Sequence, residues 1–356
     1  MFFCLNRLFL CKRLHKLSLT VTIADIAKKL NTTSATVSRA LNNHPAISEK
    51  TRKKVLKIAG KLNYRRNNVA SSLRLSKTGI IGVIIPSAEI NFFGSVVHGI
   101  ESIANLNGYN VLIYQSNESM EHEKKGIETL LNARVDGIMV SMAKETVDYT
   151  HFLNAKKARV PIVFFDRAND ELQIDSVVIN DYKGAYIATQ HLIDRGYKRI
   201  AHISGPLHIS IFKERLEGYK AALKANGMKF TKTLVVPGDV SMDSGRNAMC
   251  KLLKLAVPPD AVFAVEDFTA LGVIKELKEQ HICIPKDFGV IGFANEHFGE
   301  HITPSLSTID QQTVNMGKEA FTLMLNLIKN KGKENRKPQK IVLEPVPVFR
   351  DSTDRL

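Results

Sequence analysis

Eight side chains between positions 22 and 42 could touch a nucleic-acid duplex: Thr22, Thr33, Ser34, Ala35, Thr36, Ser38, Arg39 and Asn42. Arg39 offers a planar fork of donors suited to the O6 and N7 of guanine, with Ser34 and Ala35 beside it. Ala35 cannot hydrogen-bond and could only touch a thymine methyl. Thr22, Thr33, Thr36, Ser38 and Asn42 suit phosphate oxygens, which fix register, not sequence. These groups act together only on a helix that enters a major groove, and the spacing predicts one. Thr22 followed by Asp25 is a capping box at a helix start. Ile23, Ile26, Ala27 and Leu30 then share one face at helical spacing. Asn31-Thr32-Thr33 breaks the pattern, and Thr33 can cap a second helix with Val37 and Leu41 turned inward. The stretch reads as a helix-turn-helix with a DNA-reading second helix.

The charge distribution agrees. The chain has 356 residues and a net charge of +15. Residues 1–78 hold 17 Lys and Arg against Asp25 and Glu49, so this segment carries the whole excess and the remainder is neutral. That is the electrostatic footprint of a phosphate-binding module. A merely solvated basic face would not coincide with a helix-turn-helix. Cys4, Cys11, Cys250 and Cys283 form no C-x-x-C and have no zinc-ligand spacing, which fits a reduced, cytoplasmic, nucleoid-associated protein. No metal or cofactor is implied. Residues 1–20 mimic a signal peptide, but Arg7, Lys12 and Arg13 interrupt the apolar run and no A-x-A-like site follows. They are expected to be a disordered extension.

After the reading helix, Ser48 can cap a third helix from Glu49 to Leu62, with Val55, Ile58, Ala59 and Leu62 inward and Arg52, Lys53, Lys54 and Lys57 outward. Asn67 to Arg74 (NNVASSLR) reads as a helix of barely two turns, marginal alone. VTIADIA, TSATVSRALN, Asn63-Tyr64 and NNVASSLR together resemble the lactose/galactose repressor (LacI/GalR) family of bacterial regulators. The resemblance implies that the short helix is a hinge that folds when two subunits pair on the operator, with Leu73 wedged into the minor groove and Asn67, Ala70 and Arg74 also at the DNA. An apolar wedge unstacks a base step in return for wider contact. The alternative is a plain linker helix with Leu73 packed on a core. Arg66 stands where many relatives have proline.

From Gly79 the pattern alternates strand and helix. Strands are expected at Ile80–Ile85, Asn110–Gln115, Gly137–Ser141, Ile162–Phe165, Val177–Ile179, Ile200–Ser204, Ala261–Ala264, Gly289–Phe293 and Ile341–Val348. Helical patterns lie between them, from Gly94, Lys124, Tyr186, Phe212, Ser244, Thr269 and Val314. This rhythm argues doubly wound parallel sheets. RVDGIMVS, FFDR, HLIDRGYKRIAHISGP, RLEGY and PSLSTIDQ extend the resemblance over this region. It implies a two-lobed α/β core like the periplasmic sugar-binding proteins, with three crossings, expected near Asn180–Asp181, Thr308–Asp310 and Lys340. The expected division is an extension at 1–20, a helix-turn-helix domain at 21–66, hinge and linker at 67–78, a core at 79–349 and a tail at 350–356. Lobe 1 takes about 79–180 and 311–340, lobe 2 about 181–310 and 341–349.

Ligands of such lobes bind at the carboxyl ends of strands. Candidates there are Phe92 and Phe93, one of them expected in the core, with Gln115, Asp166, Arg215, Glu266 and Asn295. Asp166 could accept from a sugar hydroxyl or pair with Arg167. The resemblance makes Arg215 the effector clamp; the other reading is an ion pair with Glu214 or Glu217. Ala294 stands where many relatives have a ligand-binding aspartate, and Glu266 where sugar-binding relatives often have asparagine. Ile209 and Ile211 replace residues that are polar in purine- and lactose-responsive relatives, so a different effector is expected. The mouth suits a saccharide or modified sugar better than a polyanion. The function implied is a homodimeric repressor on a near-palindromic operator, controlled by a small molecule and not an enzyme. The rival is a sugar-binding or enzymatic α/β protein with a basic arm. The chain lacks G-x-G-x-x-G, G-x-x-x-x-G-K-[ST] and G-x-S-x-G, which leaves that rival without a named chemistry.

Overall fold

A computed structural model describes residues 21–64, 77–330 and 336–355, in two compact units that divide after Ser76. The expected extension at 1–20 and the hinge residues Arg66, Asn67, Ala70, Leu73 and Arg74 lie outside the described residues.

The first unit holds three helices, each started by a side-chain cap. Helix α1 (Ile23–Lys29) opens on a reciprocal box: Thr22 N donates to Asp25 Oδ2 at 2.8 Å and Asp25 N donates to Thr22 Oγ1 at 3.3 Å. Asn31 takes the left-handed conformation in the tight turn, at φ 50°. Helix α2 (Ser34–Leu41) starts on Thr33, whose Oγ1 accepts from Thr36 N at 3.2 Å. Helix α3 (Glu49–Lys61) starts on Ser48, which accepts from Thr51 N. Each such cap stabilises its helix by about 1 kcal/mol. Ile26, Ala27, Val37, Ala40, Val55 and Ala59 form the buried centre, with Leu30, Leu41, Ile58 and Leu62 around it. Ala40, not Leu41, is the second buried position of α2.

The second unit is built on two parallel sheets. The first sheet takes β1 (Ile80–Ile85), β2 (Asn110–Gln115), β3 (Gly137–Val140), β4 (Ile162–Phe165), β5 (Asp175–Ile179) and β11 (Lys340–Leu343), in the order β11-β5-β4-β3-β1-β2. Its helices are α4 (Asn91–Leu106), α5 (Met120–Asn132), α6 (Thr150–Lys157) and α11 (Thr313–Lys329). The second sheet, β7-β6-β8-β9, takes β6 (Ile200–Ser204), β7 (Val235–Pro237), β8 (Ala261–Ala264) and β9 (Gly289–Ile291). It carries α7 (Asp181–Asp194), α8 (Ser210–Ala225), α9 (Met242–Leu253) and α10 (Asp267–Glu279). The central strands are buried on both faces, which is why they read as unbroken apolar runs. Helices α4 and α11 cross where Gly99 meets Gly317; a Cβ on Gly317 would sit 2.1 Å from the carbonyl oxygen of Val96.

The third crossing differs from the expectation. One strand was expected from Ile341 to Val348, with the crossing near Lys340. Instead Lys340–Leu343 pairs in parallel with Ser176–Ile179 in the first sheet. Glu344-Pro345 interrupts it, and β12 (Val346–Val348) pairs antiparallel with β10 (Thr308–Asp310). Pro345 has no N–H to continue a ladder, so the chain leaves the sheet there. The end of the chain is built into the second lobe. Ser352 and Thr353 are buried; Ser352 Oγ donates to Val290 O at 2.6 Å and Thr353 pairs with His191. Strand β7 and helix α6 were not expected, and most helices begin two to five residues before their apolar periodicity does.

Candidate functional site

On α2, Ser34, Ala35, Arg39 and Asn42 are exposed, and Thr36 and Ser38 are half-buried. The Arg39 guanidinium makes no hydrogen bond or ion pair among the described residues, so its fork is available to a base edge. The hydroxyls of Thr22 and Thr33 are engaged in caps, Thr22 Oγ1 with Asp25 and Thr33 Oγ1 with Thr36. Capping fixes where these threonines stand. Asn42 Nδ2 donates to Ser38 O at 2.8 Å, closing the helix end.

The second unit encloses a cleft of about 440 Å³ at the carboxyl ends of its strands. Phe92 and Phe93 open α4 just after β1 and pack edge to face at 5.0 Å; both line the cleft. Asp166 and Arg167 follow β4, and Ile211, Phe212 and Arg215 come from the first turns of α8. Glu266, Phe268, Ala294 and Glu296 follow β8 and β9. Gln311 stands at the second crossing.

Arg215 is the most constrained of these groups. Its Nε donates to Asp181 Oδ1 at 2.7 Å, Nη1 to Val265 O at 2.7 Å and Nη2 to Gln311 Oε1 at 3.3 Å. Its guanidinium lies 3.7 Å from the centre of the Phe293 ring. The ion pair weighed as its alternative role therefore exists, but with Asp181 and not with Glu214 or Glu217. It coexists with a place in the cleft wall. Burial pushes the Asp181 carboxyl up, and the Arg215 guanidinium pulls it back towards the ionised form. Of the two readings of Asp166, the pair with Arg167 is present, and its carboxylate also lies in the cleft wall. It accepts from Ser141 Oγ at 3.2 Å and lies 3.8 Å from Arg167 Nε.

Two expected residues stand elsewhere. Gln115 bonds to Asn117 and accepts from Ala88 N, outside the cleft wall. Asn295 is consumed by the crossing: its Nδ2 donates to Asp310 Oδ2 at 2.9 Å and its Oδ1 accepts from Arg350 Nη2 at 2.9 Å. Asn295 therefore does not replace the aspartate missing at Ala294. Several lining residues were not foreseen, among them Glu89, Phe212, Phe268, Glu296 and Val240-Ser241-Met242. The last three follow β7, a three-residue strand too short to register as a periodicity. Glu296 reaches across the cleft and accepts from Phe92 N at 3.1 Å. Lys144 and His208 bridge the lobes as well, Lys144 Nζ donating to Asp239 O and His208 Nε2 to Lys144 O.

Residues 22–67 match the model of the bacterial regulatory proteins of the lacI family, and residues 189–353 that of a periplasmic binding protein-like domain. The chain is 33% identical to the HTH-type transcriptional repressor PurR of Vibrio atlanticus (strain LGP32), over 88% of this chain and 94% of that one. It is 36% identical to catabolite control protein A of Priestia megaterium, over 86% and 92%. The chain belongs to the lacI family. Among solved structures, this lacI-family regulator resembles the Lac repressor dimer bound to operator and the anti-inducer ONPF, with a TM-score of 0.83 and 26% identity over 94% of this chain and 99% of that one. It also resembles the transcriptional regulator CelR in complex with cellobiose, with a TM-score of 0.71 and 29% identity over 93% and 99%.

Proposed function

We propose that this lacI-family chain is a repressor that binds a near-palindromic operator as a homodimer, and that a saccharide held in the cleft sets its affinity for DNA. The observation that carries this is the position of Arg215. One guanidinium lines the cleft and bonds to Asp181 at the first crossing and Gln311 at the second. A ligand that engages Arg215 therefore acts on the two segments that set lobe closure. It shifts the equilibrium only as far as it binds the two closures unequally.

Homodimerisation is supported by the edge of the first sheet, where Leu112 and Ile113 of β2 are exposed, as is Leu106 at the end of α4. In this reading Ser34, Ala35 and Arg39 face bases, while Thr22, Thr33, Thr36, Ser38 and Asn42 position the helix on phosphates. Asn67, Ala70, Leu73 and Arg74 belong to the hinge, with Leu73 as the minor-groove wedge. Phe92, Phe93, Asp166, Arg215 and Glu266 hold the effector. The protein acts in the cytoplasm, on the nucleoid, by binding alone and not by catalysis. No described helix is long and apolar enough to cross a membrane. The test is operator binding by fluorescence anisotropy across a panel of saccharides. A sugar that changes operator affinity in the wild type and has no effect after Phe92→Ala supports the reading; operator affinity unmoved by every sugar that binds the cleft contradicts it.

A further inference from the structure

Acidic side chains outnumber basic ones around the cleft. Glu89, Asp166, Glu266 and Glu296 line it, against Arg167 and Arg215. Both guanidiniums are already neutralised by carboxylates outside the cleft wall. Arg167 Nη1 donates to Glu118 Oε2 at 2.7 Å, and Arg215 Nε donates to Asp181 Oδ1 at 2.7 Å. Glu266 has only neutral partners: its carboxylate accepts from Phe268 N and Thr269 N, both at 3.1 Å. The charges that face it, Asp267 and Glu296, are of its own sign. Glu296 is buried, accepts from Phe92 N, and has no cation in ion-pair contact among the described residues. Aromatic side chains, Phe92, Phe212 and Phe268, form the nearby walls. Carboxylates without counter-ions beside aromatic faces are the chemistry of an ammonium site.

We propose that the effector carries a basic nitrogen on a small hydroxylated ring, as an amino sugar does, and that Glu266 takes its ammonium with Glu296 beside it. This rests on the cleft being the effector site. The ammonium supplies the positive charge that the fold withholds, and the ring hydroxyls meet Asp166 and the arginines. With a neutral hydroxyl at the same place Glu266 keeps the proton that burial favours, whereas an ammonium stabilises its ionised form and the proton leaves to solvent; a phosphorylated sugar brings negative charge beside the acidic side chains.

The test is calorimetric titration of the full chain with glucosamine, galactosamine and mannosamine. Each is compared with its neutral parent and its N-acetyl derivative. At least one amine is expected to bind roughly ten-fold or more tightly than both of its neutral counterparts. Glu266→Gln removes that preference while keeping a side-chain oxygen for the helix cap. The proposal is overturned if no amine binds, if a neutral counterpart binds as well, or if the preference survives in the variant. Operator anisotropy on the same samples separates the two readings. A neutral sugar that shifts operator affinity sinks this proposal and leaves effector control standing. An amine that binds through Glu266 without moving operator affinity does the reverse.

Discussion

Arg215 and Asp181 form an ion pair at 2.7 Å with side chains only 2% and 1% exposed. The pair joins the first turns of α7 and α8, and the same guanidinium reaches Gln311 and the cleft. Ligand contact and lobe geometry therefore share one charged group. Such a pair adds little stability when intact, because desolvation offsets the attraction, but removing one member strands the other.

Arg215→Ala is accordingly expected to cost about 3–5 kcal/mol in urea unfolding. Arg215→Met combined with Asp181→Asn, which leaves no buried charge, recovers most of that loss. The double variant is then the right background for asking whether effector and operator are still coupled. A single variant as stable as wild type would contradict the buried pair.

The cleft also makes stability depend on pH. Burial pushes the Glu266 carboxyl up to about 8 and the Asp267 carboxyl up to about 6. A carboxyl raised in the folded state binds more protons there than in the unfolded chain. Its contribution is therefore complete below the ordinary carboxylate range and is lost as pH rises through the folded value. These two carboxyls are expected to subtract stability as pH rises to about 8, and Glu266→Gln to flatten the upper part of that contribution. Identical pH profiles for the two proteins would show that Glu266 is not held in its neutral form.

The Arg39 side chain stands exposed on α2 with no hydrogen-bond or ion-pair partner among the described residues. Arg39→Ala is expected to cost about 1–3 kcal/mol of discrimination at one base pair of each half-site. Non-specific binding should persist, because phosphates and lysines supply it. Competition gel shifts with single-base operator variants read this directly; unchanged selectivity would remove Arg39 from base readout.

Gly317→Ala places a Cβ 2.1 Å from the carbonyl oxygen of Val96, so α4 and α11 must separate. A loss of about 1–3 kcal/mol is expected from such overpacking. Gly94→Ala in α4 meets nothing within 4 Å and serves as the control, neutral or slightly stabilising. Equal effects of the two substitutions on urea midpoints would argue against the close crossing.

The first unit was readable because its signals are local. Thr22 and Asp25, Thr33 and Thr36, and Ser48 and Thr51 each lie three residues apart and cap the helices they announce. The parallel strands were readable because burial on both faces makes them continuous apolar runs. What escaped was non-local. Asp181 meets Arg215 across 34 positions, and Glu296 meets Phe92 across 204. Asn295 looked like a ligand-binding amide, yet Asp310 and Arg350 claim it, and only the folded crossing brings those three together. Helix starts were placed late where first turns carry caps and polar residues before the apolar face begins, as at Asp181 and Asp267.

The central claim is that the cleft and the operator are thermodynamically linked. The direct measurement takes an operator duplex selected from a random library and the saccharide that calorimetry shows to bind most tightly. Operator affinity is measured with and without the sugar, and sugar affinity with and without the operator. Linkage requires the two ratios to agree, and a factor of about 5–150 is expected. Operator affinity unchanged by a saturating sugar whose binding depends on Phe92 would contradict the account.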